Sequence, residues 1–114
     1  MSGSAGPANL SAVITDNTRL VMIESPTNPM QRIINMTEIC RVAHSRKALV
    51  EVDSTMMTPC LQKPLSLGAD LVVHSATKFI SGHADVMAGV VVAKTQELSE
   101  QVRWLSDRWY DVLC

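Results

Sequence analysis

The 114-residue chain is predicted to be an α/β protein on a mostly parallel sheet, and three features of the sequence predict it. Short uninterrupted apolar runs such as Leu20–Ile23 and Leu71–Val73 are spaced widely enough for a helix to fit between them. The segment after the first run carries its apolar residues at helical spacing. The polar residues capable of chemistry follow the runs directly. A strand, a helix and a strand in that order imply a right-handed crossover between parallel neighbours. In open sheets of this kind, ligands gather at the carboxyl ends of the strands.

Taken in order, Met1–Asn9, with Ser, Gly, Ala and Pro, has the composition of a flexible lead-in, and Leu10–Ile14 forms one helical turn. Leu20–Ile23 reads as a strand that ends at Ser25-Pro26-Thr27-Asn28-Pro29. The two prolines set φ at their own positions and bias Ser25 and Asn28 away from helical geometry, so this loop is expected to be extended. From Met36, the residues Met36, Ile39, Cys40 and Ala43 form an apolar stripe, with Glu38, Arg41 and Arg46 mostly off it. That is an amphipathic helix. Asn35 followed by Glu38 resembles a capping box, and Lys47 marks the end of the helix. Ala48–Val52, ending at Asp53, reads as the second strand, Leu71–His74 as the third and Val86–Ala93 as another. Continuous apolar runs of this type are expected in a sheet covered on both faces. Glu51 interrupts its run, which implies that the strand is an edge or that the charge has a partner. Thr95 is placed to cap a last helix with Leu98, Val102, Leu105, Trp109 and Val112 along one stripe.

Composition excludes several classes of function. An apolar share of 46% in a chain of this length can fill one core and argues against disorder. The formal net charge of −1, without a basic cluster, leaves no electrostatic footprint for nucleic acid. Apolar runs such as Ala88–Ala93 fall far short of the roughly 20 residues of a membrane helix, so a soluble, cytoplasmic protein is expected. Cys40, Cys60 and Cys114 are widely separated and read as reduced thiols; with His44, His74 and His83 they show no paired ligand spacing, and no metal is expected.

The strand ends are richer. Asn28 follows the first strand, Asp53 ends the second, and Ser75, Thr77 and Lys78 follow the third. Each has an ordinary reading alone: Lys78 as a solvated lysine, Asp53 as a turn or cap residue, Ser75 and Thr77 as loop hydroxyls. His83 after Gly82 reads as a hydrogen-bonded structural histidine, and Met56, Met57 and Met87 as gap-filling core. Together, however, an amine, two hydroxyls, a carboxylate and an amide supply what pyridoxal phosphate needs: a covalent attachment point, donors for phosphate and an anion for the ring nitrogen.

Four segments then occur in register: Glu24-Ser25-Pro26-Thr27-Asn28-Pro29, Val52-Asp53-Ser54-Thr55, Pro64-Leu65-Ser66-Leu67-Gly68-Ala69-Asp70 and Ser75-Ala76-Thr77-Lys78-Phe79-Ile80-Ser81-Gly82-His83. From about Thr18 to Leu98 the chain resembles the Cys/Met-metabolism, or transsulfuration, family of pyridoxal-phosphate enzymes. The resemblance implies part of the three-layer α/β/α large domain of a fold type I enzyme. Residues 1–17 are then a lead-in, 18–98 the cofactor-binding segment, and 99–114 a divergent or truncated C-terminal helix.

By this resemblance Lys78 would hold the cofactor through its amine and move the Cα proton, work that a site shielded from water favours. Asp53 would bond the pyridine nitrogen, and Ser75 and Thr77 the phosphate. Asn28 would lie near the phenolic oxygen and the substrate carboxylate, and Thr55 would flank the ring. Asp85-Val86-Met87-Ala88-Gly89-Val90 and Met56-Met57 look most similar to the cystathionine β-lyase branch. Its reaction converts cystathionine to homocysteine, pyruvate and ammonia, and the family assembles as tetramers. The rivals are the cystathionine γ-synthase and γ-lyase branches, and a non-catalytic product that associates with a full-length homologue. Ser54 stands where the family usually has Asn, and Ala84 where Ser is common. The family's Gly-rich phosphate turn, ring-stacking Tyr and carboxylate-gripping Arg have no counterpart in these residues, and Arg108 lies in no matching motif. An interior piece of a longer enzyme, of cytoplasmic or plastid location, is therefore expected.

Overall fold

The computed structural model describes residues 7–113, with side chains from 9 to 108. The expected lead-in up to residue 6, the Trp109 and Val112 side chains and Cys114 lie outside the described residues. The elements run α1 (Pro7–Val13), β1 (Leu20–Glu24), α2 (Met36–Ser45), β2 (Leu49–Asp53), α3 (Thr58–Leu61), a 3-10 turn (Pro64–Leu67), β3 (Leu71–Ser75), β4 (Gly89–Ala93) and α4 (Gln96–Leu113). The sheet order is β1-β2-β3-β4. β1, β2 and β3 are parallel, and β4 returns antiparallel beside β3. The α/β class with a mostly parallel sheet is as the sequence predicts. The last strand is shorter than expected, because Val86–Ala88 lie outside β4 and only Gly89–Ala93 pair with β3.

Helix α2 begins where the sequence places it. The Asn35 side chain accepts a hydrogen bond from the Glu38 amide at 3.2 Å. The reciprocal half of the box is missing, because the Glu38 carboxylate turns to Arg41, whose Nε lies 2.9 Å from Oε2. Lys47, at φ 58°, ends the helix. Its stripe of Met36, Cys40 and Ala43 packs with Ile14, Ala48, Val50, Val52 and Ala69 into one core, flanked by Leu10, Val21 and Ile23. Gly68 allows the close approach. Its φ of +110° is one that side chains resist, and an added Cβ would stand 3.0 Å from the Cβ of Cys40.

Asp70 locks this core to the sheet. Its Oδ2 accepts from the Val50 amide at 2.8 Å and lies 2.7 Å from Nε2 of His44 near the end of α2.

Cover on both faces is not what the chain shows. Val50 and Val52 are fully buried under α2, whereas Met22 on the opposite face is 69% exposed. Val90, Val91 and Val92 of β4 are also exposed. Both α1 and α2 contribute to the core over β1 and β2, so apolar continuity in β4 is not matched by cover. Neither expectation for Glu51 holds. Strand β2 is internal, and among the described residues no partner meets the Glu51 carboxylate. Burial pushes that carboxyl up, and the charge of Asp53, two residues on along the same face, adds to the effect. Met87 is 95% exposed, which corrects its reading as core, while Met56 and Met57 are half-buried.

Thr95 caps α4, its Oγ1 accepting from the Leu98 amide at 3.3 Å. Leu98 and Val102 are half-buried, but Leu105 is 51% exposed, so the stripe is covered only at its start. Arg108 places its guanidinium 4.2 Å from the centre of the Trp104 ring, an exposed cation–π contact one helical turn apart.

Candidate functional site

Parallel pairing of β1, β2 and β3 brings their carboxyl ends to one edge of the sheet, and the antiparallel β4 starts at that same edge, Ser75 pairing with Gly89. Asp53 closes β2 in register with Glu24 of β1 and Val73 of β3. It is half-buried, and its Oδ1 accepts from the Thr55 amide at 2.9 Å. The Thr55 hydroxyl in turn accepts from the Ser75 amide at 2.8 Å. Ser54 adds a backbone bond to the Val73 carbonyl at 3.0 Å. The ends of β2 and β3 are thus stitched together by the residues that carry the candidate chemistry.

After Ser75 the chain winds into a tight turn. The Lys78 amide donates to the Ser75 carbonyl at 3.1 Å, Ser81 to Ala76 at 2.9 Å and Gly82 to Lys78 at 3.0 Å. Gly82 supplies a φ of +74° at the exit. His83 donates from Nδ1 to the Ser81 carbonyl at 2.9 Å, a structural bond of the kind its place after Gly82 suggests. Thr77 fastens the turn to the segment before β4: its hydroxyl accepts from the Ala88 amide at 2.9 Å and faces the Ala88 carbonyl at 3.3 Å.

The structure therefore joins Asp53, Thr55, Ser75 and Lys78 through successive hydrogen bonds, with Thr77 in the same turn. Asn28 sits apart. It is exposed, and its amide donates to Oε2 of Glu24 at 2.9 Å. Its loop is not extended as expected. Thr27 donates to the Arg32 carbonyl at 3.0 Å and Gln31 to the Thr27 carbonyl at 2.6 Å, closing a compact turn. Local polar groups of Thr27 satisfy the backbone in a way that proline φ values alone do not reveal.

Among the described residues the Ser75 hydroxyl, the second carboxylate oxygen of Asp53 and the Lys78 amine have no protein partner, so they remain available to a ligand. An amine, a hydroxyl and a carboxylate at one edge fit the attachment point, phosphate and ring nitrogen of pyridoxal phosphate. Lys78 is exposed, not shielded from water, because no described element covers this edge at Lys78. Gln62, which reaches Ser25 across 37 positions, escapes sequence reasoning, because that separation leaves no local pattern. Glu24 heads the Glu24–Pro29 motif, but its hold on the Asn28 amide is a role that residue order does not assign. Among the described residues no group of three or more His, Cys, Asp or Glu side chains could hold a metal ion, and no helix is long and apolar enough to cross a membrane.

Comparison with known proteins adds lineage to this geometry. Residues 3–111 match the sequence model of a family described as Cys/Met metabolism PLP-dependent enzyme. The chain is 51% identical over 98 residues to the chloroplastic cystathionine β-lyase of Arabidopsis thaliana, an alignment covering 86% of this chain and 21% of that protein. It is 45% identical over 95 residues to cystathionine γ-synthase of Escherichia coli, covering 83% and 25% respectively. Among solved structures, cystathionine γ-lyase from Lactobacillus plantarum, complexed with L-serine, superposes with a TM-score of 0.83 at 41% identity, over 86% of this chain and 26% of that one. The chain thus spans about a quarter of the length of each relative.

Proposed function

Because the chain belongs to the family of Cys/Met-metabolism PLP-dependent enzymes, we propose that it supplies the cofactor-binding segment of a carbon–sulfur lyase of the cystathionine β-lyase kind. The observation that carries this reading is the hydrogen-bonded succession from Asp53 through Thr55 and Ser75 to Lys78 at the ends of parallel strands. When bound, pyridoxal phosphate supplies an electron sink for a carbanion at the substrate Cα.

The chain's own residues do the rest. The Lys78 Nζ would hold the cofactor covalently and, when free, would accept the substrate Cα proton. The free oxygen of Asp53 would accept a hydrogen bond from the protonated ring nitrogen and hold that proton in place; its other oxygen is fixed by the Thr55 amide. Ser75 would donate to phosphate, and Thr77 would do so by giving up its long contact to the Ala88 carbonyl while still accepting from the Ala88 amide. Thr55, anchored to Ser75, would flank the ring, and Asn28 would meet the phenolic oxygen and the substrate carboxylate. The substrate is a sulfur-containing amino acid, cystathionine in the favoured reading, and the assembly is a homo-oligomer.

The resemblance at Met56-Met57 and Asp85–Val90 is what favours elimination at Cβ; identity does not separate the branches, at 51% to the β-lyase, 50% to an L-methionine γ-lyase of Fusobacterium nucleatum and 45% to the γ-synthase. A γ-acting enzyme is the second reading, since the cofactor groups serve both. Loss of the sulfur group from Cβ yields the three-carbon oxoacid pyruvate, whereas loss from Cγ yields a four-carbon oxoacid, so product analysis of the enzyme that contains this segment separates them. The cofactor reading is tested on the chain itself. Pyridoxal phosphate is titrated in, the adduct is reduced with borohydride, and the labelled peptide is mapped. The label is expected on Lys78 and absent in Lys78→Ala. A visible band unchanged in that variant, or a label elsewhere, refutes the assignment. No specific adduct at all would favour a non-catalytic segment that acts by associating with a full-length homologue.

A further inference from the structure

We infer that Gln62 is a positioning residue that clamps the loop after β1 to the loop after β2, and so sets the place of Asn28 relative to Asp53; what the clamp serves rests on the cofactor reading above. The last register pair between β1 and β2 is Glu24 with Asp53. Immediately beyond it stand Ser25 and Ser54, 2% and 1% exposed. The ladder cannot continue there through backbone alone, because Pro26 has no N–H to give. Gln62, the C-terminal cap of α3, takes over with its side chain. Its Nε2 donates to the Ser25 carbonyl at 2.9 Å and to the Ser54 hydroxyl at 3.2 Å.

Each serine is tied further. The Ser25 hydroxyl accepts from the Ile34 amide at 3.5 Å, which pins the far end of the loop that carries Asn28. The Ser54 carbonyl accepts from the Thr58 amide at 3.0 Å, and the Ser54 amide donates to Val73 at 3.0 Å. One amide nitrogen therefore links both ends of the Asn28 loop to the residue between Asp53 and Thr55. The task needs two N–H groups on one uncharged atom at this reach. Glutamate offers no donor, methionine none, and asparagine is a methylene short.

The test compares Gln62→Met, which keeps the shape and removes both donors, with Ser54→Ala, which removes one acceptor and leaves the Ser25 bond. Amide hydrogen exchange is followed by mass spectrometry with residues 71–75 as the internal reference, alongside the affinity for pyridoxal phosphate. In Gln62→Met, exchange in residues 25–34 and 54–58 is expected to rise about tenfold with 71–75 unchanged, and cofactor affinity to fall by a comparable factor. In Ser54→Ala only 54–58 loosens, a result that also decides the matter should Gln62→Met fail to fold. Unchanged exchange in both loops, or an equal rise in 71–75, overturns the clamp. Loosened loops with unchanged cofactor affinity overturn the positioning role and leave a purely structural one. The exchange readout needs no cofactor, so failure of Lys78 to take the label would strike the cofactor reading and not this one.

Discussion

Replacing Asp70 by alanine is expected to destabilise the chain by about 2–3 kcal/mol, and the structure says where that energy resides. Oδ2 of Asp70 accepts from the amide of Val50, a residue with no exposed surface. Without Asp70 that donor has no protein acceptor, a penalty of about 1–3 kcal/mol for a buried amide. The same oxygen lies 2.7 Å from Nε2 of His44, whose side chain is 39% exposed, so solvent screening limits this pair to about 0–1 kcal/mol. The backbone bonds of Asp70, to Val50 at 2.9 Å and from Lys94 at 2.8 Å, survive every side-chain change. Asp70→Asn keeps a carbonyl oxygen for the Val50 amide and is expected to cost under about 1 kcal/mol, as is His44→Ala. Urea unfolding followed by circular dichroism measures the order: for a chain of this size, Asp70→Ala should lower the midpoint by about 1–2 M. If Asp70→Ala and Asp70→Asn fall within about 0.5 kcal/mol of each other, the buried Val50 amide is not what Asp70 serves, and the reasoning fails.

Two further substitutions probe the core and the sheet. Gly68→Ala forces a side chain into φ +110° and sets its Cβ 3.0 Å from that of Cys40. The backbone strain and overpacking together cost roughly 2–4 kcal/mol in urea unfolding. Cys40→Ala should not rescue it, because the clashing Cβ remains; full rescue would place the conflict at the sulfur. Glu51 has its carboxyl pushed up by burial first and by Asp53 second. The folded state thus prefers Glu51 protonated, and its contribution to stability is greatest below the ordinary carboxylate range and lost as the pH rises through the raised value. Glu51→Gln is therefore expected to raise the urea midpoint at about pH 7 and to make no difference at about pH 3. A gain of equal size at both values would contradict the burial argument.

Strand positions, the start of α2 and the Thr95 cap were readable from residue order because each is set within a few positions: apolar runs, an Asn side chain three residues from the amide it meets, a Thr three residues from Leu98. The Asn28 loop departs from its expected extended form for the same reason in reverse. Proline restricts φ only at and next to itself, while closure of the turn depends on Thr27 bonding to Arg32 five positions on. Glu51 shows a related gap. Its charge was visible in the run, but whether β2 is an edge or an interior strand follows from pairing with β1 on one side and β3 on the other.

The α/β class, the family and the residue types available for chemistry follow from motif order and apolar patterning, which are local along the chain. Which of those residues are joined follows from packing alone. Asp53 reaches Ser75 through Thr55, and Gln62 spans 37 positions to Ser25. Packing also decides that Lys78 and Met87 are exposed and that one face of the sheet is partly open. Burial and hydrogen bonding depend on which segments pack together, and in a parallel sheet those segments are brought together by crossovers that separate them along the chain.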